Sequence, residues 1–119
     1  MNAEGLLTTE QLDGIVVAHV KGEIDLANAP KLSRALIKAI PNDAVGVVID
    51  LTGTTYLDSS GVSLVFELAE RVHARQQQLR VALPEDAPLR RVLRVVSLES
   101  VVPIRPTVEA AAEEIRQAG

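Results

Sequence analysis

Strand and helix signals alternate along this chain after two strands in succession. That order predicts an α/β fold, a mixed but mostly parallel β-sheet begun by an antiparallel hairpin, with about four helices. Three observations carry the prediction. Asp13-Gly14 separates two apolar stretches and suits a tight hairpin turn. Val45 to Leu51 (VGVVIDL) is too uniformly apolar and β-branched to have one wet face, as expected of a central strand covered on both sides. The later strand signals are followed by residues at helical spacing. The 119 residues fit one domain, long enough to bury roughly two-thirds of the surface of the unfolded chain.

The hairpin spans Leu6 to Leu12 and Ile15 to Val20 (IVVAHV). Asn28 and Pro30 then open a helix in which Leu32, Ala35, Leu36, Ala39 and Ile40 recur on one side, and Pro41 with Asn42-Asp43 stops it. After the Val45 to Leu51 strand, Thr52 to Leu57 (TGTTYL) reads as a polar, glycine-containing link into Asp58-Ser59-Ser60-Gly61 and a long helix. Leu79 to Leu83 is a further strand, and Pro84 to Pro88 turns into a short helix carrying Leu89, Val92, Leu93 and Val96. Val101, Val102 and Ile104 form a last short strand, which Pro103 assigns to an edge of the sheet. Thr107 caps a final helix with Val108, Ala111, Ala112 and Ile115 on one side.

In the long helix, projection at about 100° per residue gathers Val62, Val65, Phe66, Leu68, Ala69, Val72 and His73 within an arc of roughly 160°, the expected core face. Leu64 falls outside that arc, beside Arg71 and Arg75. It reads either as a docking residue one turn after the two serines or as an ordinary exposed leucine. Ser60, Ser63, Glu67 and Glu70 occupy the remaining surface.

Composition narrows the function. One Phe, one Tyr and no Trp demand an aliphatic core and leave little with which to stack on nucleic-acid bases. A formal net charge of −4 opposes general affinity for phosphate backbones or anionic membranes, and favours a positively charged partner surface. The absence of cysteine excludes disulfides, thiolate metal sites and cysteine catalysis. Met1 to Leu12 has no basic region followed by an apolar stretch, and no apolar run reaches the ~18 residues of a membrane span, so the expected location is the cytoplasm.

The D-S-S-G tetrapeptide puts two hydroxyls where a buried strand gives way to a helix. A helix start offers unpaired N–H groups and the positive end of the macrodipole, which suit an anionic group on Ser59. Asp and Ser are equally what an ordinary N-cap requires. A serine nucleophile would need a positioned base. His19 lies within a strand and His73 at the edge of the core arc, neither in a G-x-S-x-G pattern, so both read as packing or boundary residues. Two isolated histidines without an H-E-x-x-H pattern define no metal site, and G-x-x-x-x-G-K-[ST] is missing. Asp50 closes a buried strand as a phospho-accepting aspartate would. Its expected companions are lacking, however, because lysines stop at Lys38, and it is expected to bond backbone amides in the following loop. Glu23 and Asp25, two residues apart in extended chain, point the same way and form either a solvated turn or a negative rim near the serines.

Lys21-Gly22-Glu23-Ile24-Asp25 followed by Asn28-Ala29 resembles the G-E-L-D segment of STAS domains, the fold shared by anti-sigma factor antagonists and sulfate-transporter tails. Val48-Ile49-Asp50-Leu51 with Tyr56-Leu57-Asp58-Ser59-Ser60-Gly61-Val62 is similar to the second signature of that family, and the match is collinear along essentially the whole chain. The resemblance implies a STAS-like fold and a cytoplasmic, non-enzymatic partner-switching protein without a cofactor. Its unmodified form would bind an anti-sigma factor that is also a serine kinase, releasing a sigma factor. Phosphorylation of Ser59 would switch it off, and a serine phosphatase would reset it. Asp58, Ser60 and Gly61 are then the motif neighbours, and Glu23, Asp25, Ser63, Leu64 and Glu67 the expected partner-facing residues. Ser97 departs from the family, standing where a glycine is usual after the third helix. Two alternatives accompany this reading: a non-switching STAS adaptor of a transport or signalling assembly, and a nucleotide-binding module using the same helix start.

Overall fold

The computed structural model describes residues 6–118. Its elements are β1 (Leu7–Leu12), β2 (Ile15–Ile24), α1 (Ala29–Ala39), β3 (Gly46–Leu57), α2 (Ser59–Ala74), β4 (Gln78–Ala82), α3 (Leu89–Val95), a short 3-10 turn (Leu98–Ser100), β5 (Ile104–Arg105) and α4 (Val108–Ala118). The strands lie in the order β1-β2-β3-β4-β5. β1 and β2 pair antiparallel across the Asp13-Gly14 turn, and the other pairings are parallel. The fold class is the one expected from the sequence.

Alternation along the central strands divides the core in two. Ala18 and Val20 of β2 with Val47, Ile49 and Leu51 of β3 face the large aliphatic cluster filled by α1, α2 and α3. Ile15, Val17 and Val48, with Ala82 of β4, face the other way and meet Ala111, Ala112 and Ile115 of α4. The α4 helix starts where Thr107 Oγ1 accepts from Ala110 N–H at 3.0 Å. It packs so close to β3 that a Cβ on Gly46 would lie 2.9 Å from the Ile115 side chain and 2.8 Å from the Gln78 carbonyl. Among the described residues no helix is long and apolar enough to cross a membrane.

Several expectations need correction. The Thr52–Leu57 segment is not a link but the second half of β3. There the Thr54 hydroxyl is buried and donates to the Val20 carbonyl at 2.7 Å, so a polar residue is tolerated inside a strand by bonding a neighbouring one. β2 likewise runs on to Ile24, with register shifts at His19/Lys21 and Gly22/Glu23 that let it follow β3. β5 is only Ile104–Arg105, at the edge as predicted, with Pro103 just before it.

The core face of α2 is also rotated. Gly61, Leu64, Val65, Leu68, Ala69 and Val72 are buried, Val62 and Phe66 are half-buried, and His73 is exposed. At 100° per residue this moves the arc by about 50° toward Leu64. The cause is α1: Leu64 is 6% exposed and shares a small internal cleft with Leu32 and Leu36 of that helix. A projection of one helix carries no information about a neighbour lying alongside it.

Candidate functional site

The site is built where β2 and β3 end side by side. Asp58 is the N-cap of α2, held in extended backbone (φ −90°, ψ −171°), and its Oδ1 accepts from the Ser60 N–H at 2.8 Å and the Gly61 N–H at 3.1 Å. Ser59 is therefore the first helical residue, and it is exposed. The helix starts hard against β2. A Cβ on Gly61 would lie 2.7 Å from Leu57 Cδ2 and 3.2 Å from both the Ile24 side chain and carbonyl, so the motif's glycine is demanded by close approach.

The β2–α1 turn is folded by its own polar side chains. Asp25 Oδ1 accepts from the Ala27 N–H at 3.0 Å and the Asn28 N–H at 3.3 Å. Asn28 is buried. Its Oδ1 accepts from the Asp25 N–H and its Nδ2 donates to the Glu23 carbonyl, both at 2.9 Å. The two turns are joined through Asp58, whose N–H donates to the Ile24 carbonyl and whose Oδ2 accepts from the Leu26 N–H, each at 3.2 Å. Leu26 itself is 73% exposed. Between α1 and α2 runs an open groove of about 450 Å³, lined by Leu26, Pro30 and Arg34 on one side and by Ser59, Ser60, Ser63, Leu64 and Glu67 on the other.

The predicted site residues thus fall into groups. Ser59, Ser60, Ser63 and Glu67 share the groove with Leu64, but Leu64 belongs to its buried wall and is not the exposed docking residue that the helical projection suggested. Glu23 is exposed. Asp25 is half-buried with its carboxylate directed onto its own turn, so the pair is neither a plain solvated turn nor two equivalent rim charges. The helix start also differs from expectation, because two of the N–H groups expected to meet a phosphoryl group already donate to Asp58. An aspartate at the N-cap reaches the second and third helical amides as a matter of geometry. Leu26 was missed, since nothing in an isolated leucine after Glu-Ile-Asp marks it as exposed.

Neither histidine serves Ser59. His73 is in the last turn of α2, about 20 Å along the helix axis. His19 lies on the α4 face of the sheet, with Nδ1 2.7 Å from Asp50 Oδ2 and Nε2 2.8 Å from Glu10 Oε2. With a carboxylate at each nitrogen the ring donates both bonds only when doubly protonated, and its pKa is raised chiefly by the Asp50 hydrogen bond, against a smaller effect of burial. Burial pushes the Asp50 carboxyl up, but its bonds from Thr52 and His19 outweigh this and hold it below its ordinary value. Asp50 does accept from a backbone amide two residues on, the Thr52 N–H at 3.0 Å, but that amide lies within β3 and not in the loop expected there. The signal for the ladder was present in the pleat, as His19 and Asp50 each stand four residues from the paired positions Ile15 and Gly46. Among the described residues no group of three or more His, Asp or Glu side chains is placed to hold a metal ion.

With this geometry in view, the relationships of the chain are consistent. Residues 7–111 match the STAS domain family model. BtrV of Bordetella bronchiseptica is 31% identical over 113 residues, spanning 94% of this chain and 96% of BtrV. The anti-sigma-F factor antagonist RsfA of Mycobacterium tuberculosis is 27% identical over 106 residues, 87% of this chain and 82% of RsfA. The crystal structure of an anti-sigma factor antagonist from Mycobacterium paratuberculosis superimposes with a TM-score of 0.81 at 29% identity, covering 98% of this chain and 99% of that one. By the match of residues 7–111 to the family model and by superposition on a solved antagonist, this chain belongs to the STAS domain family.

Proposed function

We propose that the chain is an anti-sigma factor antagonist, a non-enzymatic binding protein of the cytoplasm whose affinity for its partner is switched off by phosphorylation of Ser59. The observation that carries this reading is the setting of Ser59: an exposed hydroxyl on the first residue of a capped helix, at the lip of a groove beside the exposed Leu26. An anti-sigma factor with serine kinase activity would dock on this end of the molecule, with Leu26 as the apolar contact and Glu23, Ser63 and Glu67 as the polar rim. Transfer of the γ-phosphoryl group of ATP to Ser59 Oγ leaves ADP and releases the hydroxyl proton. A phosphatase reverses the state by hydrolysis.

Phosphorylation adds about −1.5 to −2 charge next to the Asp58 carboxylate. Inside a closed interface such a charge is opposed by desolvation and by like-charge repulsion. Within the free chain it meets the positive end of the α2 dipole, a favourable effect of about 0.3–1 kcal/mol. The fold therefore persists while binding is lost.

Incubation with the kinase partner and ATP, followed by intact mass and peptide mapping, tests the assignment. One phosphate on Ser59, absent from Ser59→Ala and retained in Ser60→Ala, is the expected result. Phosphate on Ser60, Thr54 or Thr55 would move the switch elsewhere, and no incorporation would leave a non-switching adaptor.

A further inference from the structure

We infer that Asp58 is a positioning residue that couples the state of Ser59 to the placement of Leu26. This rests on the reading of Ser59 as a phosphorylation site. The carboxylate has one oxygen for each wall of the groove: Oδ1 takes the Ser60 and Gly61 amides of α2, and Oδ2 takes the Leu26 amide of the β2–α1 turn. The two oxygens belong to one planar group, so a displacement of the whole carboxylate from the helix start also draws Oδ2 away from Leu26.

A phosphoryl group on Ser59 acts on that plane in two ways. Its oxygens are stronger acceptors for the same Ser60 and Gly61 amides, and its charge repels the adjacent carboxylate. Both displace Asp58 and release the Leu26 N–H. The rest of the turn is held separately, since the Ala27 and Asn28 amides donate to Asp25 and the Asn28 side chain bonds the Asp25 amide and the Glu23 carbonyl. The effect is thereby confined to Leu26, a largely exposed apolar side chain that lines the same groove as the modified serine. Phosphorylation then adds a charge to the docking surface and also removes its apolar contact from a defined position.

The test measures amide hydrogen exchange by NMR on the full chain in four forms: unmodified, phosphoserine installed at position 59 during translation, Asp58→Asn and Asp58→Ser. Asn and Ser both remain good N-caps, but neither presents a second acceptor oxygen to Leu26. In all three altered forms the Leu26 amide should exchange at least about fivefold faster, while the Ala27 and Asn28 amides stay within about twofold of the unmodified chain. An unchanged Leu26 rate in the phosphoserine form overturns the coupling, as does an acceleration shared equally by Ala27 and Asn28. Because the phosphoserine is installed without a kinase, failure here leaves the kinase reading intact, and failure of the kinase assay leaves this coupling intact.

Discussion

On the face covered by α1, α2 and α3 the sheet meets a broad aliphatic cluster, and its polar groups bond mostly to backbone close by, as at Asp25, Asn28 and Asp58. On the face covered by α4 the cluster is smaller and its margin is ionic. Glu114 of α4 accepts from Arg80 Nε at 2.6 Å and from Arg105 Nε at 2.7 Å, and His19 bridges Glu10 and Asp50. The charges of the α4 face are thus matched within the fold. At the groove, by contrast, the carboxylate beside Ser59 is engaged only by amides, so an added negative charge there meets dipoles and a like charge. The end of the molecule that carries Ser59 is held by hydrogen bonds to backbone amides, while the close ion pairs of Glu114 with Arg80 and Arg105 lie on the opposite face.

The sharpest way to break this contrast is Leu64→Ala. If the groove wall is part of the aliphatic cluster, truncation should cost about 2–4 kcal/mol of stability, read as a lower urea midpoint. A cost under about 1 kcal/mol would mean that the wall is surface and that the groove is not anchored in the core.

Ser59→Asp addresses the groove's response to charge. Partner affinity measured by calorimetric titration should fall at least about tenfold, roughly 1.4 kcal/mol. Unfolding stability should stay within about 1 kcal/mol of the parent. The phosphorylated chain should bind more weakly still, because phosphate carries more charge and more acceptor oxygens than aspartate. Equal affinities for the three forms would sink the electrostatic half of the switch.

The α4 face predicts a pH dependence instead. His19 has a raised pKa in the fold, so its contribution is fully present below its ordinary value of 6.5 and is lost as pH rises through the raised value. Asp50 has a lowered one, so its contribution is present above 3.8 and is lost as pH falls through the lowered value. The ladder should therefore stabilise most between those limits. With the His19 side chain 34% exposed, solvent screening keeps the effect below about 1 kcal/mol. Urea unfolding from pH 6 to pH 9 should show the parent losing more stability than His19→Gln, and parallel profiles would remove the ladder from the comparison.

The smallest expected change concerns backbone on the aliphatic face. Ser97 follows the end of α3 in the left-handed region (φ 58°, ψ 39°), a conformation that glycine adopts at no steric cost. Ser97→Gly should raise stability by about 0.5 kcal/mol, the relief of side-chain strain exceeding the added freedom of the unfolded chain. A lower melting temperature would show that the serine side chain stabilises this turn.

What the sequence determined by itself was whatever depends on neighbours along the chain. Asp13-Gly14 turned the hairpin, the uniformly apolar Val45 to Leu51 run became a central strand, Pro103 stood beside an edge, and Asp58 capped the helix that begins at Ser59. Tertiary structure decided everything that needed a second element. It turned the buried arc of α2 toward Leu64 because α1 lies there, and it prolonged β3 through a polar segment because Val20 offers Thr54 an acceptor. It also set His19 between carboxylates 9 and 31 residues away and brought the amide of Leu26 to an aspartate 32 residues on. Periodicity and capping are local consequences of backbone geometry, whereas burial and long-range hydrogen bonds depend on which surfaces meet once the chain has closed on itself.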